Sequence, residues 1–214
     1  YDLPVQAAIK TVKVPYCVLN GSATVNSGEN GLQCRVFPIS GYEIGLNNSL
    51  SSYLPIDGAK LSYFIDGDGA DARSKRIAKF NMTNGLYWTR SPSNANNVGN
   101  WYISVDGSYG NVYSYNSYGI RPALILPYDF KFLTPVDYLV VNQGIPEDSP
   151  LYDASCEGTW LLRKDISENR IWDSGEVNNL EQSDIQSWLN GTMLLKYDSN
   201  IKSSLKQVKI PYRQ

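Results

Sequence analysis

The chain contains no histidine. That removes the commonest general base, the Ser-His and Cys-His nucleophile pairs and most zinc sites. Charge is also sparse, at 19% of 214 residues, against roughly 25% in an average soluble domain. The net charge is −2 with no basic run, so a nucleic-acid footprint is missing. The longest apolar stretches, residues 122–127 and 138–141, are far too short to span a bilayer. The three cysteines, Cys17, Cys34 and Cys156, are odd in number and lack metal-knuckle spacing. They read as buried, unreactive thiols, with one bridged pair as the alternative, and fix no redox compartment. The start, Tyr-Asp-Leu-Pro, has neither the basic region nor the apolar core of a signal peptide, and no initiating Met. It reads as a mature or excised piece.

Uncharged polar groups fill the place of charge: 23 Ser, 19 Asn, 17 Gly and 16 Tyr. The length is enough to bury a core without metals or staples. The most informative pattern is a repeat. Residues 1–16 read YDLPVQAAIKTVKVPY and residues 197–212 read YDSNIKSSLKQVKIPY, aligned without a gap. The offset of 196 residues, from Tyr1 to Tyr197, is too long for a solenoid unit of roughly 20 to 50 residues. Each repeat is therefore expected to be a whole domain, the chain being one period of a tandem array. A circular permutant with a duplicated end is the alternative.

Along the chain, residues 5–14 have the apolar spacing of a short helix running into an extended Val-Lys-Val-Pro-Tyr. Residues 33–39 alternate like a strand, residues 40–46 could open a helix, and residues 61–65 are strand-like. Trp101, Ile103 and Val105 alternate with Tyr102 and Ser104, then comes Asp106-Gly107, then alternation resumes over 111–115. That is a hairpin with Trp101, Ile103 and Val105 facing inward. Residues 120–126 form an apolar strand, 130–135 the junction, and 137–141 and 159–164 two further strands. Ser183 is the N-cap of a helix through Leu189, with Asp184 in its first turn and Asn190-Gly191 as its stop. The class is α+β, with many short strands and a few short helices.

These elements carry five motifs. Ser183-Asp-Ile-Gln-Ser-Trp-Leu-Asn190 resembles the S-D-[L/I]-x-x-W-L-N helix of an uncharacterised domain family of bacterial surface proteins and phages of Gram-positive hosts. Residues 35–46 (RVFPISGYEIGL), 87–92 (YWTRSP), Val105-Asp-Gly107 and 119–124 (GIRPAL) are similar to that family's remaining motifs. The resemblance implies a C-type-lectin-like fold, as in formylglycine-generating-type domains and retroelement-diversified variable proteins. In the family the W-L-N half comes first; here it comes second. Residues 1–16 then end the first half of one module, 17–130 form a second half, and 131–214 the first half of the next. Either the last segment folds back within the chain or it completes a neighbouring copy. The latter contact is head-to-tail and propagates as a ring or a filament.

The candidate binding residues lie in 87–119, where Tyr, Asn, Ser, Gly and Trp make 24 of 33 residues. That is paratope composition: rigid aromatics for area, small polar groups for adaptable hydrogen bonds. In diversified variable proteins the corresponding region displays the variable residues. Tyr102 and Ser104 are expected to face outward, with Asn94, Asn96, Asn97, Asn100, Tyr109, Tyr113, Tyr115 and Tyr118 around them. The implied partner is a cell-surface glycan or protein, since exposed aromatics serve both. The same composition suits an inert polar coat, with neighbouring copies as the partner in a homopolymer. Asp66, Asp68 and Asp71 form a weak calcium candidate in a glycine-rich loop, against which a solvated acidic turn is weighed. Arg90 and Arg121 read as structural, satisfying loop carbonyls, with ligand contact as the alternative. Four Asn-x-Ser/Thr triplets, at Asn20, Asn47, Asn81 and Asn190, fit the glycosylation pattern, which Asn-rich chains also produce by chance. No sequence-local carboxylate pair marks an acid/base couple, and Cys17 and Cys34 resemble formylglycine-generating chemistry only at the level of fold, which does not carry function. The sequence thus points to a non-catalytic, extracellular or virion-associated adhesion module needing no cofactor. A structural fibre subunit built by exchange of half-modules is the alternative.

Overall fold

The computed structural model describes residues 8–17, 24–95, 98–128 and 138–193. In chain order the first strands are β1 (Val12–Val14), β2 (Tyr16–Cys17), β3 (Val25–Asn26), β4 (Leu32–Cys34) and β5 (Phe37–Pro38). Helix α1 (Ala70–Arg76) precedes β6 (Ala78–Phe80), β7 (Thr83–Gly85), β8 (Tyr87–Pro92), β9 (Gly99–Ile103), β10 (Tyr109–Tyr113), β11 (Ser117–Ile120) and β12 (Pro122–Leu126). Then follow β13 (Tyr138–Gln143), β14 (Thr159–Arg163), β15 (Glu168–Ile171) and helix α2 (Asp184–Trp188). Among the described residues the class is α+β: mostly strands, with two short α-helices.

Two sheets dominate. One has the order β10-β9-β8-β11-β15 and the other β13-β14-β12-β5. Each joins the early and late parts of the chain. β15 pairs antiparallel with β11, and β14 lies between β12 and β13. Residues 138–193 therefore fold back onto residues 8–128. Burial explains the pattern of β12: it is covered on both faces, so Ala123, Leu124, Ile125 and Leu126 are all buried and its sequence is a continuous apolar run. The main core packs Trp88, Trp101, Trp160 and Trp172 with Phe37, Ile39 and Leu61. A smaller cluster holds Ile9, Leu124, Leu126, Tyr138 and Leu161.

The expected β9–β10 hairpin is present, with Tyr109 opposite Ile103, and Gly107 takes a positive φ (+79°) in its turn. Val105 does not face inward. β9 ends at Ile103, so Val105 sits in the turn, 43% exposed. The expected helix over 40–46 is instead a series of turns, because the Ser40 and Glu43 side chains are turned to the core. The expected strand over 61–65 is a turn closed by the Phe64 amide donating to the Leu61 carbonyl. α2 begins at its Ser183 cap, whose Oγ accepts from the Gln186 amide. α2 itself ends at Trp188, and the chain continues past the expected Asn190-Gly191 stop through a π turn, Leu189–Met193. The junction over 130–135, residues 5–7 and the repeat copy at 197–212 lie outside the described residues.

Candidate functional site

The motif residues converge on one buried polar cluster. The Arg90 guanidinium donates to the carbonyls of Pro15 (2.9 Å), Pro38 (3.1 Å) and Asp57 (3.2 Å). It also grips Glu43 on both carboxylate oxygens, at 2.5 and 2.6 Å. Burial works against the Arg90 charge, but the Glu43 carboxylate outweighs it and raises the pKa. Glu43 accepts further from the Ser40 amide (2.9 Å) and the Tyr152 hydroxyl (2.8 Å). Asp57 Oδ1 accepts from the hydroxyls of Ser40 (2.6 Å) and Ser91 (2.9 Å), while Oδ2 has no partner. Burial pushes the Asp57 carboxyl up to about 6, against the opposing pull of Arg90 and the two hydroxyls.

The other motif positions fasten neighbouring elements. Arg121 Nε donates to the Arg163 carbonyl (2.7 Å), and the Trp88 indole to the Arg170 carbonyl (3.0 Å). Asn190 clasps the 35–36 backbone, with Oδ1 accepting from the Arg35 amide (3.0 Å) and Nδ2 donating to the Val36 carbonyl (3.0 Å). Gly119 has no room for a side chain, since a Cβ would meet Ile166 at 2.4 Å. These residues hold the scaffold; they do not line an accessible surface.

The aromatic candidates divide between the two faces of the sheet. Tyr102 and Tyr118 lie over buried Trp88, with Tyr118 stacked on it (4.7 Å, 30°) and edge-on to Tyr102 (5.0 Å). Both are half-buried. Burial, then the neighbouring Tyr102, raises the Tyr118 hydroxyl pKa. By strand alternation Tyr109 and Tyr113 point the other way, with Trp101. Tyr109 is half-buried against that indole and donates to the Leu50 carbonyl (3.4 Å). Asn100 is a correction to the expected surface set. It is fully buried on β9, with its amide oriented to donate to the Asn178 carbonyl and accept from the Trp172 indole, both at 2.8 Å. Ser104 belongs to the hairpin turn, and Asn94 is half-buried with its amide donating to the Tyr53 carbonyl (2.8 Å). Asn96 and Asn97 lie outside the described residues.

Tyr113 and Tyr115 are different. They are 50% and 48% exposed and stack on each other at 5.4 Å and 23°. Between them Ser114 is buried and pinned on both sides. Its amide donates to the Val98 carbonyl (2.8 Å), and its carbonyl accepts from the amides of Trp172 (2.8 Å) and Asp173 (3.2 Å). Asn116 closes the turn, its Nδ2 donating to the Tyr113 carbonyl (2.9 Å). A half-open hollow of about 270 Å³ adjoins, lined by Gly99, Asn111, Val112 and Tyr113. Exposed Asn111 was not among the expected contacts; its place on the edge strand, beside Tyr113, is what adds it.

The three loop carboxylates do not gather. Asp68 is taken by Arg73 and Arg76 (2.9 Å to Arg76), and Asp66 faces Lys60 (3.1 Å). Asp71 stands in the first turn of α1. Among the described residues no group of three or more His, Cys, Asp or Glu side chains is placed to hold a metal ion. Cys17, Cys34 and Cys156 are buried, and burial pushes the thiols of Cys17 and Cys156 up to about 12. Among the described residues no helix is long and apolar enough to cross a membrane.

These features define an α+β domain locked from within by a buried ion pair, with a small aromatic platform on one sheet edge. The chain belongs to DUF6273, a domain family of unknown function, whose profile matches residues 1–128 and 157–214. No curated protein and no solved structure matches the chain.

Proposed function

We propose that this chain is a non-catalytic binding module, extracellular or carried on a virion, that contacts a cell-surface glycan or protein through Tyr113, Tyr115 and Asn111. One observation carries the reading: two stacked tyrosines, half exposed, stand on a backbone held from both sides at Ser114. A rigid aromatic pair offers contact area at little entropic cost. The hollow beside it supplies concavity, and Asn111 supplies a polar group at its rim. The C-type-lectin-like architecture belongs to the same proposal, supported by the five motifs and their interlocking.

The test is binding of the purified chain to glycan arrays and to Gram-positive cells, compared with Tyr113→Ala/Tyr115→Ala. Loss of one well-placed stacking contact is worth about 1–3 kcal/mol, so retention should fall at least about fivefold. Unchanged retention on every surface rejects the platform.

A second reading, a fibre subunit assembled head-to-tail by exchange of half-modules, is favoured by the two mixed sheets. Residues 138–193 supply a central strand to one sheet and an edge strand to the other, and a neighbouring copy could supply the same strands. Light scattering over a wide concentration range decides it: a monomer throughout rejects exchange.

A further inference from the structure

We infer that the outer edge of β10 pairs antiparallel with β10 of a second copy of this chain, Asn111 against Asn111, giving a closed dimer with one continuous sheet. The inference does not require the tyrosine pair to bind a ligand, and its readout is the association state alone.

The hairpin fixes which backbone groups face outward. The Ser104 amide donates to the Ser108 carbonyl and the Ser114 amide to the Val98 carbonyl, both at 2.8 Å. Between these bonds β9 and β10 run without a register shift, from Tyr109 opposite Ile103 to Tyr113 opposite Gly99. Antiparallel pairs alternate between bonded and unbonded. Gly110 and Val112 therefore bond to β9, while Tyr109, Asn111 and Tyr113 turn their amides and carbonyls away from it. β10 stands at the edge of its sheet. The Tyr113 carbonyl is taken by Asn116. Among the described residues nothing bonds to the outward groups of Tyr109 and Asn111, or to the Tyr113 amide.

Open edges invite strand pairing, and folded proteins blunt them with charge, proline, bulges, shortness or cover. The other edges of the two large sheets show these devices. β15 carries Glu168 and Arg170, paired at 2.9 Å. β13 has a register shift between Val140 and Asn142. Residues 62–63 also lie along it, the Tyr63 amide donating to the Val141 carbonyl and the Ser62 amide to Asn142 Oδ1, both at 3.0 Å. β5 is only Phe37–Pro38. β10 has none of these: it is five residues long, Tyr-Gly-Asn-Val-Tyr, with no charge, proline or bulge.

The strand itself selects the occupant. Read in either direction from Asn111, the next outward-bonding residue is a tyrosine, Tyr109 or Tyr113. Self-pairing centred on Asn111 therefore sets tyrosine opposite tyrosine and amide opposite amide, with no like charges opposed. The phase also matches, because every residue that turns its backbone outward meets another that does so. The Asn111 amide donates to the Asn111 carbonyl of the second copy and the Tyr113 amide to its Tyr109 carbonyl, and each bond recurs by symmetry. A charged strand would find no counter-charge on this edge. The contact is isologous and closes at two copies, unlike a head-to-tail exchange. It runs in the plane of the sheet and leaves the side-chain faces open.

Sedimentation equilibrium of the full chain at low salt is expected to show a mass that rises with concentration from one chain toward two, and no further. Asn111→Lys and Asn111→Asp each set like charges against each other across the two-fold axis. Each should weaken the dimer at least about tenfold. An equimolar mixture of the two should dimerise at least as tightly as the parent, because opposite charges then meet. Added salt should shrink both effects. Recovery in the mixture cannot come from variants that fail to fold. A parent that stays monomeric at every concentration overturns the inference and leaves the edge to a strand of another protein. A dimer that both variants retain, a mixture that does not recover, or growth beyond two copies overturns it equally.

Discussion

Glu43 and Arg90, distant in sequence, meet as a fully buried two-pronged ion pair, each carboxylate oxygen facing one guanidinium nitrogen at 2.5–2.6 Å. Around them Arg90 also binds the carbonyls of Pro15, Pro38 and Asp57, and Glu43 binds Ser40 and Tyr152. Five separate stretches of chain are thereby fixed to one point. Two charges removed from water gain only if geometry and remaining hydrogen bonds are satisfied, and here they are.

Breaking the pair from one side leaves the other charge stranded. Glu43→Gln and Arg90→Met should each lower the unfolding free energy by about 3–5 kcal/mol in urea. The double variant should lose clearly less than the two losses added together. A single-variant loss below about 1 kcal/mol would show that the pair does not hold these stretches.

Asp57 adds a pH dependence of known sign. Its folded carboxyl titrates at about 6, above its ordinary value of 3.8, because burial favours the neutral form. Between these values the folded chain keeps a proton that the unfolded chain has released. Stability from this group is therefore greatest below about pH 4, falls as pH rises toward 6 and is flat above. Relative to Asp57→Asn, the native chain should lose on the order of 2–3 kcal/mol across that window. Parallel stability-pH curves for the two proteins would contradict the assignment.

Asn190 ends the W-L-N motif, yet it acts on a distant segment. Truncation in Asn190→Ala strips the partners from the Arg35 amide and the Val36 carbonyl. The expected cost is about 1–3 kcal/mol. Asn111→Ala, on the exposed edge, should stay within about 0.5 kcal/mol of the parent. Urea midpoints of the two variants make the comparison.

The tyrosines should separate by stability as they do by burial. Tyr113→Ala/Tyr115→Ala removes half-exposed rings and should shift the thermal midpoint little. Tyr118→Ala uncovers Trp88 and breaks its contact with Tyr102, at about 2–3 kcal/mol. Calorimetry on both variants would expose an error if the first proved the more destabilised.

Local signals gave reliable elements where they were self-sufficient. Asp106-Gly107 between alternating strands specifies a hairpin without help from the rest of the chain, and Ser183 with Asp184 specifies a helix start. Where the outcome depended on a distant partner, the sequence misled. Residues 40–46 could open a helix, but Glu43 is drawn to Arg90 and Ser40 to Asp57, and the segment turns instead. Asn190-Gly191 carries a stop signal, but Asn190 is engaged by the 35–36 backbone. Among the candidate site residues, strand alternation put Tyr113 on the face opposite Tyr102 and burial withdrew Asn100.

The sequence by itself determined an α+β chain without histidine, a hairpin rich in tyrosine and asparagine, and a repeated sequence at residues 1–16 and 197–212. Each of these depends on residue type or on neighbours a few positions away. The tertiary structure decided which tyrosines reach solvent, which carboxylate meets Arg90, and that β14 enters between β12 and β13. Those outcomes depend on groups brought together from far apart in the chain, where burial makes every unpaired polar atom costly and so selects one arrangement among those the local pattern allows.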